Sequence, residues 1–108
     1  MAIISWNCRG VGGDNTKRTL LTLFNDHKPD IVFLFETKSC DNVINDLIHA
    51  SRFENHFSIP SINQSGGLLL LWSNQINLVV SSSNKYIINT KIYYENDKQR
   101  IFYLVFLL

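Results

Sequence analysis

The run Ile31–Phe35 constrains the fold more than any other segment, because its five consecutive apolar residues give a strand no polar face. Strands of this kind are buried on both sides, which is typical of sheets whose parallel strands are connected by helices. The neighbouring segments fit that arrangement. Residues 3 to 6 predict a strand, and apolar residues at helical spacing follow Asp14 and Asp41. The first half of the chain therefore predicts the order strand, helix, strand, helix.

The second half of the chain changes character after Pro60. Runs of strand-forming residues follow, separated by clusters of Ser, Asn, Asp and Lys of hairpin length. The runs read LLLLW, INLVV, YIINTKIYY and RIFYLVFLL. Together with the first half they predict an α/β fold, a layered sandwich with a mixed sheet, in which a βαβα start is followed by antiparallel strands.

The last eight residues, Ile101–Leu108, are all apolar or aromatic and show no alternation with polar residues. This pattern predicts a strand deep inside a sheet, because the same strand at an edge favours aggregation. We therefore expect residues 1–108 to be the amino-terminal portion of one incomplete domain. The alternative is a small natural protein whose hydrophobic terminal strand is docked centrally.

Composition gives no electrostatic reason to expect a nucleic-acid or membrane partner. Ten Lys and Arg stand against nine Asp and Glu, a formal charge of +1, and like charges form no block. Cys8 and Cys40 lack the spacing of a zinc site, so we predict free thiols in a reducing compartment. No apolar segment approaches the roughly 20 residues that span a bilayer, and the start does not resemble a secretion signal. We expect an intracellular protein, nuclear or cytoplasmic and not secreted; nothing in the sequence indicates an oligomer.

Two polar residues stand where predicted strands end. Asn7 follows the first strand and Glu36 follows the second. Ligands of open α/β sheets bind beyond the carboxyl ends of the strands, so an amide oxygen and a carboxylate could converge there. Oxygen ligands suit Mg²⁺, and such a site favours phosphodiester chemistry. The residues alone leave a second interpretation open, in which Glu36 is a solvated loop residue and Asn7 only satisfies backbone groups of a turn.

Three motifs occur in order along the chain: ISWNCRGVGG from residue 4, KPDIVFLFETK from residue 28 and SGGLLLLW from residue 65. In this combination the chain resembles the amino-terminal half of the endonuclease/exonuclease/phosphatase superfamily. More narrowly, the motifs are similar to the apurinic-endonuclease-like domain of plant LINE-type retrotransposons. The resemblance implies part of a four-layer, DNase I-like α/β sandwich. It also implies a Mg²⁺ or Mn²⁺ cofactor and DNA as the substrate of phosphodiester hydrolysis.

The resemblance implies roles for three residues and is broken at a fourth. Glu36 matches the metal-ligating glutamate of the family, and Asn7 matches the asparagine that helps to order the metal and the phosphate. Lys38 matches a lysine that supports the site through its charge. Arg9 is a departure, since many repair endonucleases carry an acidic residue there. An arginine at this position could instead contact a phosphate of DNA.

The family's remaining catalytic motifs, a tyrosine, an Asp-x-Asn pair and an Asp-His pair, lie beyond residue 108. We therefore expect residues 1–108 to contain the metal-binding part of the active site but no general base, and to be inactive alone. Two alternatives remain open. One is a noncatalytic retroelement remnant that at most binds nucleic acid or a partner chain; the other is a phosphatase of the same superfamily.

Three further residues receive structural interpretations. Gly66 and Gly67 precede a strand rather than a helix, so they predict a tight turn and not a phosphate-binding loop. Trp72 closes an apolar strand and is expected to pack rather than to stack on a base.

Overall fold

A computed structural model describes residues 1–94 and 97–107 of the chain. Two helices and seven strands lie within those residues. In chain order they are β1 (Ile3–Asn7), α1 (Asp14–His27), β2 (Ile31–Phe35), α2 (Asp41–Ser51), β3 (Asn55–Ile59), β4 (Leu68–Trp72), β5 (Asn77–Asn84), β6 (Ile87–Tyr94) and β7 (Asp97–Leu107). The predicted βαβα start is confirmed. Strand β3 was not predicted from the sequence.

The strands form two sheets. The first has the order β1-β2-β4-β3, in which β1 and β2 are parallel and β4 is antiparallel to both of its neighbours. The second has the order β5-β6-β7 and is antiparallel throughout. The predicted mixed sheet and the antiparallel strands that follow it are thus confirmed.

Both helices bury one stripe of apolar residues and end at a residue in the left-handed region. Leu20 and Phe24 are the buried residues of α1 and lie one turn apart on the same face. Lys28, with φ 44°, follows this helix, and its N–H donates to the Phe24 carbonyl. Ile44 and Leu47 are the buried residues of α2. Neither helix in the described part of the chain is long and apolar enough to cross a membrane.

The central strands β2 and β4 contribute to two separate cores, which explains their unbroken apolar sequences. Val32 and Leu34 face the helices, in a core that also contains Leu20. Ile31 and Phe33 point to the opposite side and pack against the second sheet. Strand β4 divides in the same way, with Leu69 and Leu71 towards the helices and Leu68 and Leu70 towards the second sheet. The described residues therefore form three layers: helices, mixed sheet and antiparallel sheet.

The prediction that Ile101–Leu108 lies deep inside a sheet is wrong for the described part of this run. Strand β7 lies at an edge of the second sheet. Phe106 is buried against Phe33, with ring centres 5.1 Å apart, but Tyr103 on the other face is 68% exposed. The sequence could not predict this edge position, because an apolar strand has the same sequence pattern whether or not neighbouring strands cover it. The last residue of the run lies outside the described residues.

The backbone ladder of the first sheet continues beyond the strand ends and joins three loops. The loop after β1, residues 8–11, donates three N–H groups to the carbonyl oxygens of residues 35–37, at 2.8 to 2.9 Å. On the other side, the N–H groups of residues 37 and 38 donate to the carbonyls of Gly67 and Gly66, at 3.3 and 3.0 Å. The loop after β2 is therefore held from both sides.

Gly67 makes the closest approach within this ladder. Its φ is +95°, and a Cβ at this position would overlap Oγ1 of the buried Thr37 and lie 3.3 Å from Cβ of Ser61. Gly66 has φ +73°, but a Cβ there would meet no described atom within 4 Å. The predicted tight turn is confirmed. Gly66 is required only for its positive φ, whereas Gly67 is required both for its positive φ and for the space that the Thr37 side chain occupies.

We expect Gly67→Ala to lower the free energy of unfolding by about 2–4 kcal/mol, because strain at a positive φ adds to the overlap with Thr37. Gly66→Ala is the matched control and should lose only the conformational part, about 1 kcal/mol. Chemical denaturation of both variants measures the difference. Equal losses would contradict the packing role assigned to Gly67.

The two cysteines are free thiols, as predicted. Cys40 is exposed, whereas Cys8 is buried in the core beneath the helices. This burial raises the pKa of the Cys8 thiol from 9.0 to about 12, because the thiolate is disfavoured away from water.

The raised pKa of Cys8 makes stability depend on pH. Above pH 9 the unfolded chain loses this proton while the folded protein keeps it, so this contribution is intact below pH 9 and is lost as the pH rises towards 12. We expect the free energy of unfolding of the wild type to fall by about 1 kcal/mol more per pH unit than that of Cys8→Ala in this window. Denaturation of both proteins over the alkaline range tests this; parallel profiles would argue against a protonated, buried Cys8.

Candidate functional site

One edge of the first sheet brings the three sequence motifs together. Strands β1 and β2 are parallel, and β4 runs antiparallel beside β2. The carboxyl ends of β1 and β2 therefore meet the amino end of β4 at the same edge. Asn7 closes β1, Glu36 follows β2, and Gly66 and Gly67 precede β4. The convergence of Asn7 and Glu36 that the sequence predicts is thus seen at the level of the backbone.

Asn7 organises the first loop at this edge. Its Oδ1 accepts a hydrogen bond of 3.0 Å from the Arg9 N–H. This contact closes a turn in which Arg9 and Gly10 both have positive φ, 50° and 98°. The turn role that the residues alone left open for Asn7 is therefore present. An amide oxygen accepts two hydrogen bonds, so this contact still leaves one lone pair for another partner.

Glu36 presents an available carboxylate. Its Oε2 lies 3.9 Å from the Nζ of Lys38, and the two side chains are 34% and 41% exposed. A long, solvated ion pair of this kind contributes between about 0 and 1 kcal/mol. Because the lysine holds the carboxylate only weakly, Glu36 is free to take a cation, and Lys38 is free to meet an anion beside it.

Backbone strain concentrates at the same edge. Within the described ranges, seven residues other than glycine have positive φ, and two of them end the helices. The other five lie in the loops of this edge: Arg9, Glu36, Lys38, Asn63 and Gln64. Left-handed backbone costs a residue with a side chain roughly 1–2 kcal/mol, and such residues cluster at functional sites. The fold thus tolerates strain where the sequence predicts chemistry.

A cleft of about 440 Å³ opens beside Glu36. Its lining combines charged, polar and apolar residues from three parts of the chain: Glu36, Lys38, Pro60, Ile62, Ser65, Gly66, Gly67, Lys85 and Tyr86. Glu36 is the one acidic residue in that lining, and the two lysines give it a net positive charge. The cleft is therefore suited to a ligand that carries negative charge.

Lys85 and Tyr86 are cleft residues that sequence reasoning missed. They form the turn between β5 and β6, and the second sheet brings this turn over the edge of the first. The Tyr86 N–H donates to Oδ1 of Asn84 at 2.8 Å, and the Nζ of Lys85 lies 4.9 Å from the Tyr86 ring centre. The turn itself is recognisable in the sequence as a polar cluster between strands, but its position over Glu36 is a tertiary effect.

The structure brings only part of the predicted residue set into the cleft. Glu36 and Lys38 line it, whereas Asn7 and Arg9 belong to the adjoining loop across the β1–β2 ladder. Arg9 is exposed there. Trp72 lies at the other end of β4 and packs against the core between the sheets, as expected.

The donor set at this edge consists of one carboxylate and one amide oxygen, which are ligand types that Mg²⁺ accepts. Mg²⁺ in proteins takes one or two carboxylates and completes its octahedron with water and substrate phosphate. Glu36 supplies one carboxylate that Lys38 holds only weakly, and Asn7 supplies an amide oxygen with a remaining lone pair. Across the described residues, no three His, Cys, Asp or Glu gather as a preformed metal cluster. A cation here would therefore depend on Glu36 and Asn7, and on phosphate or water for the rest of its ligands.

Comparison with known proteins gives structural relatives only. No protein family model matches the chain, and no curated protein matches it. AP endonuclease LMAP from Leishmania major is similar with a TM-score of 0.67 and 16% identity, over 98% of this chain and 39% of that chain. TDP2 from C. elegans is similar with a TM-score of 0.56 and 17% identity, over 84% of this chain and 30% of that chain.

Identities this low show a shared fold. The chain spans less than half the length of either protein, so what those whole proteins do is not carried over with the fold. The likeness to the endonuclease does extend over nearly the whole chain, and so includes the helices and both sheets. The predicted fold class is confirmed: the chain has a mixed α/β fold similar to the DNase I-like fold of AP endonuclease.

Proposed function

We propose that this chain is the amino-terminal, metal-binding portion of a Mg²⁺-dependent endonuclease-like domain of retroelement type, which hydrolyses phosphodiester bonds of DNA. The observation that carries the proposal is the backbone ladder that joins the loops of Asn7, Glu36 and Gly67 at one edge of the first sheet. The fold shared with an AP endonuclease supports it. The motif wording WNCRG, ETK and SGGLLLLW supports the retroelement type.

The chain's own residues have defined tasks in this proposal. Glu36 and Asn7 hold the divalent cation, Mg²⁺ or Mn²⁺, through oxygen atoms. Lys38 neutralises a phosphate oxygen next to Glu36, and Arg9 contacts a neighbouring phosphate of the DNA strand. The bound metal supplies a Lewis acid that stabilises the charge developing on the phosphate.

Hydrolysis also requires a group that deprotonates and orients the attacking water. Among the residues that line the cleft, none other than Glu36 is a carboxylate or a histidine. Glu36 is assigned to the cation, so it does not serve as the base. We therefore propose that these 108 residues bind the cation but do not cleave DNA by themselves.

The competing function is that of a noncatalytic remnant that at most binds nucleic acid or a partner chain. The lack of a base other than Glu36 among the described residues that line the cleft favours this alternative as well. The two hypotheses differ in one property. A retained site binds a divalent cation through Glu36, whereas a noncatalytic remnant is not expected to bind one there.

Binding of Mn²⁺ separates the two. We expect Glu36→Gln to weaken Mn²⁺ binding by about tenfold or more, since even outer-sphere partners of a metal contribute about 10–100-fold. Electron paramagnetic resonance of free Mn²⁺ in a titration with protein measures this. Glu54→Gln is the matched control, because Glu54 is exposed, outside the cleft lining, and its Oε2 accepts from the Asn74 N–H at 3.3 Å. Equal affinities for the wild type and Glu36→Gln would overturn the metal site.

Nicking of supercoiled plasmid in Mg²⁺ tests the second part of the proposal. We expect the rate with the wild-type chain to equal that with Glu36→Gln, because the described residues that line the cleft offer no base other than Glu36 to activate water. Nicking by the wild type that disappears in EDTA and in Glu36→Gln would refute the claim that the chain is inactive alone.

A further inference from the structure

We propose that the cleft beside Glu36 binds an unpaired nucleotide of a DNA strand, with Tyr86 and Ile62 as its apolar walls. The choice of DNA and of the phosphate next to Glu36 rests on the proposed function. The preference for an unpaired nucleotide rests on other observations, namely the exposure of these two side chains, the closed turns that carry them and the charges around them.

The two walls are large apolar side chains that stand in solvent. Tyr86 is 55% exposed and Ile62 is 64% exposed, although each lines the same cleft. They come from different parts of the chain, Ile62 from the loop between β3 and β4 and Tyr86 from the turn between β5 and β6. Exposed apolar groups that converge on a polar floor are typical of ligand sites, where an apolar body and a few polar groups are recognised together.

The backbone that carries each wall is fixed before any ligand arrives. The Tyr86 N–H is bonded to Oδ1 of Asn84 at 2.8 Å. Ile62 and Ser65 exchange two backbone hydrogen bonds of 2.9 Å across a tight turn. Turns that are already closed add little cost of backbone ordering on binding, which favours affinity.

The charges around the walls suit the phosphates on either side of one nucleotide. Lys38 and Lys85 both line the cleft, and the Nζ of Lys85 lies 4.9 Å from the Tyr86 ring centre. The Lys85 ammonium lies over one face of the Tyr86 ring, so a base stacks on the opposite face, with its phosphate within reach of this cation. The cleft volume of about 440 Å³ lies within the range of roughly 300–1,000 Å³ found for small-molecule sites.

The cleft favours an unpaired base because a base within a duplex has both faces already stacked. Extruding it costs a few kcal/mol, whereas a base in a single strand offers its face freely. Stacking on one aromatic side chain contributes about 1–3 kcal/mol and tolerates every base. We therefore infer that a single strand binds more tightly than the same strand in a duplex, with little dependence on sequence.

Fluorescence anisotropy with a labelled single-stranded oligonucleotide, and with the same strand annealed to its complement, tests the inference. The titrations are made in EDTA, so that neither metal nor cleavage contributes. We expect the single strand to bind about tenfold or more tightly than the duplex, and Tyr86→Ala to weaken single-strand binding by about 5- to 150-fold. Tyr86→Phe should retain the affinity, because the ring face is kept.

Two further variants keep the test decisive. Tyr103→Ala is the matched control, since Tyr103 is an exposed tyrosine on the outer face of β7, and its affinity should equal that of the wild type. Ile62→Ser should weaken binding of the single strand and leave the thermal unfolding midpoint unchanged. Duplex binding as tight as single-strand binding, or equal losses in Tyr86→Ala and Tyr103→Ala, would overturn the inference.

Failure of this inference is distinguishable from failure of the proposed function. The metal site is measured with Mn²⁺ and the Glu36→Gln variant, whereas nucleotide binding is measured without metal and with Glu36 intact. Loss of the first result leaves the stacking cleft untouched, and loss of the second leaves the metal site untouched.

Discussion

The segment from Ile31 to Lys38 is the constraint on which the rest of the structure depends. Its first part is a strand whose two faces feed two different cores, and its second part is a loop bonded to neighbours on both sides. Burial of Ile31–Phe35 fixes the sheet in place, and the ladder then carries that rigidity past the end of the strand. Glu36 consequently stands at a defined point of the sheet edge, although it belongs to a loop. In the proposed site, this preorganised backbone positions a single carboxylate for the cation.

Backbone strain and the absence of a side chain at Gly67 both cost stability at this edge of the sheet. Glu36 and Lys38 both have left-handed backbone conformations. The buried Thr37 lies between them, and its side chain fits only because Gly67 has no Cβ. Each of these choices costs free energy that an ordinary loop would not lose. The apolar strands on either side offset the cost, since β2 and β4 are buried along nearly their whole length. Strain at Glu36 is thus tolerated because the segments around it cannot move away.

The sequence predicted those features that local pattern determines. The unbroken run Ile31–Phe35 and the helical spacing after Asp14 and Asp41 are properties of neighbouring residues, so the βαβα start followed from them directly. Strand Asn55–Ile59 was missed because its alternation extends over only five residues. The prediction that Ile101–Leu108 lies deep in a sheet failed for a different reason. Its apolar pattern correctly indicates a strand, but the burial of a strand depends on the neighbours that pack against it.

At the candidate site, the ends of the predicted strands pointed to Asn7 and Glu36. The cleft residues Ile62, Lys85 and Tyr86 come from distant turns that the packing of the two sheets brings together, and no local pattern predicts that packing.

The central claim is that the edge formed by the three loops holds a divalent cation through Glu36. Paramagnetic broadening of amide resonances by Mn²⁺, in a ¹⁵N-labelled sample of the 108-residue chain, tests this most directly. We expect the strongest broadening at residues 7–10, 36–38 and 66–67, the weakest at Asn55 and Trp72 at the opposite end of the sheet, and loss of the effect in Glu36→Gln. Broadening centred elsewhere, or unchanged by Glu36→Gln, would contradict it.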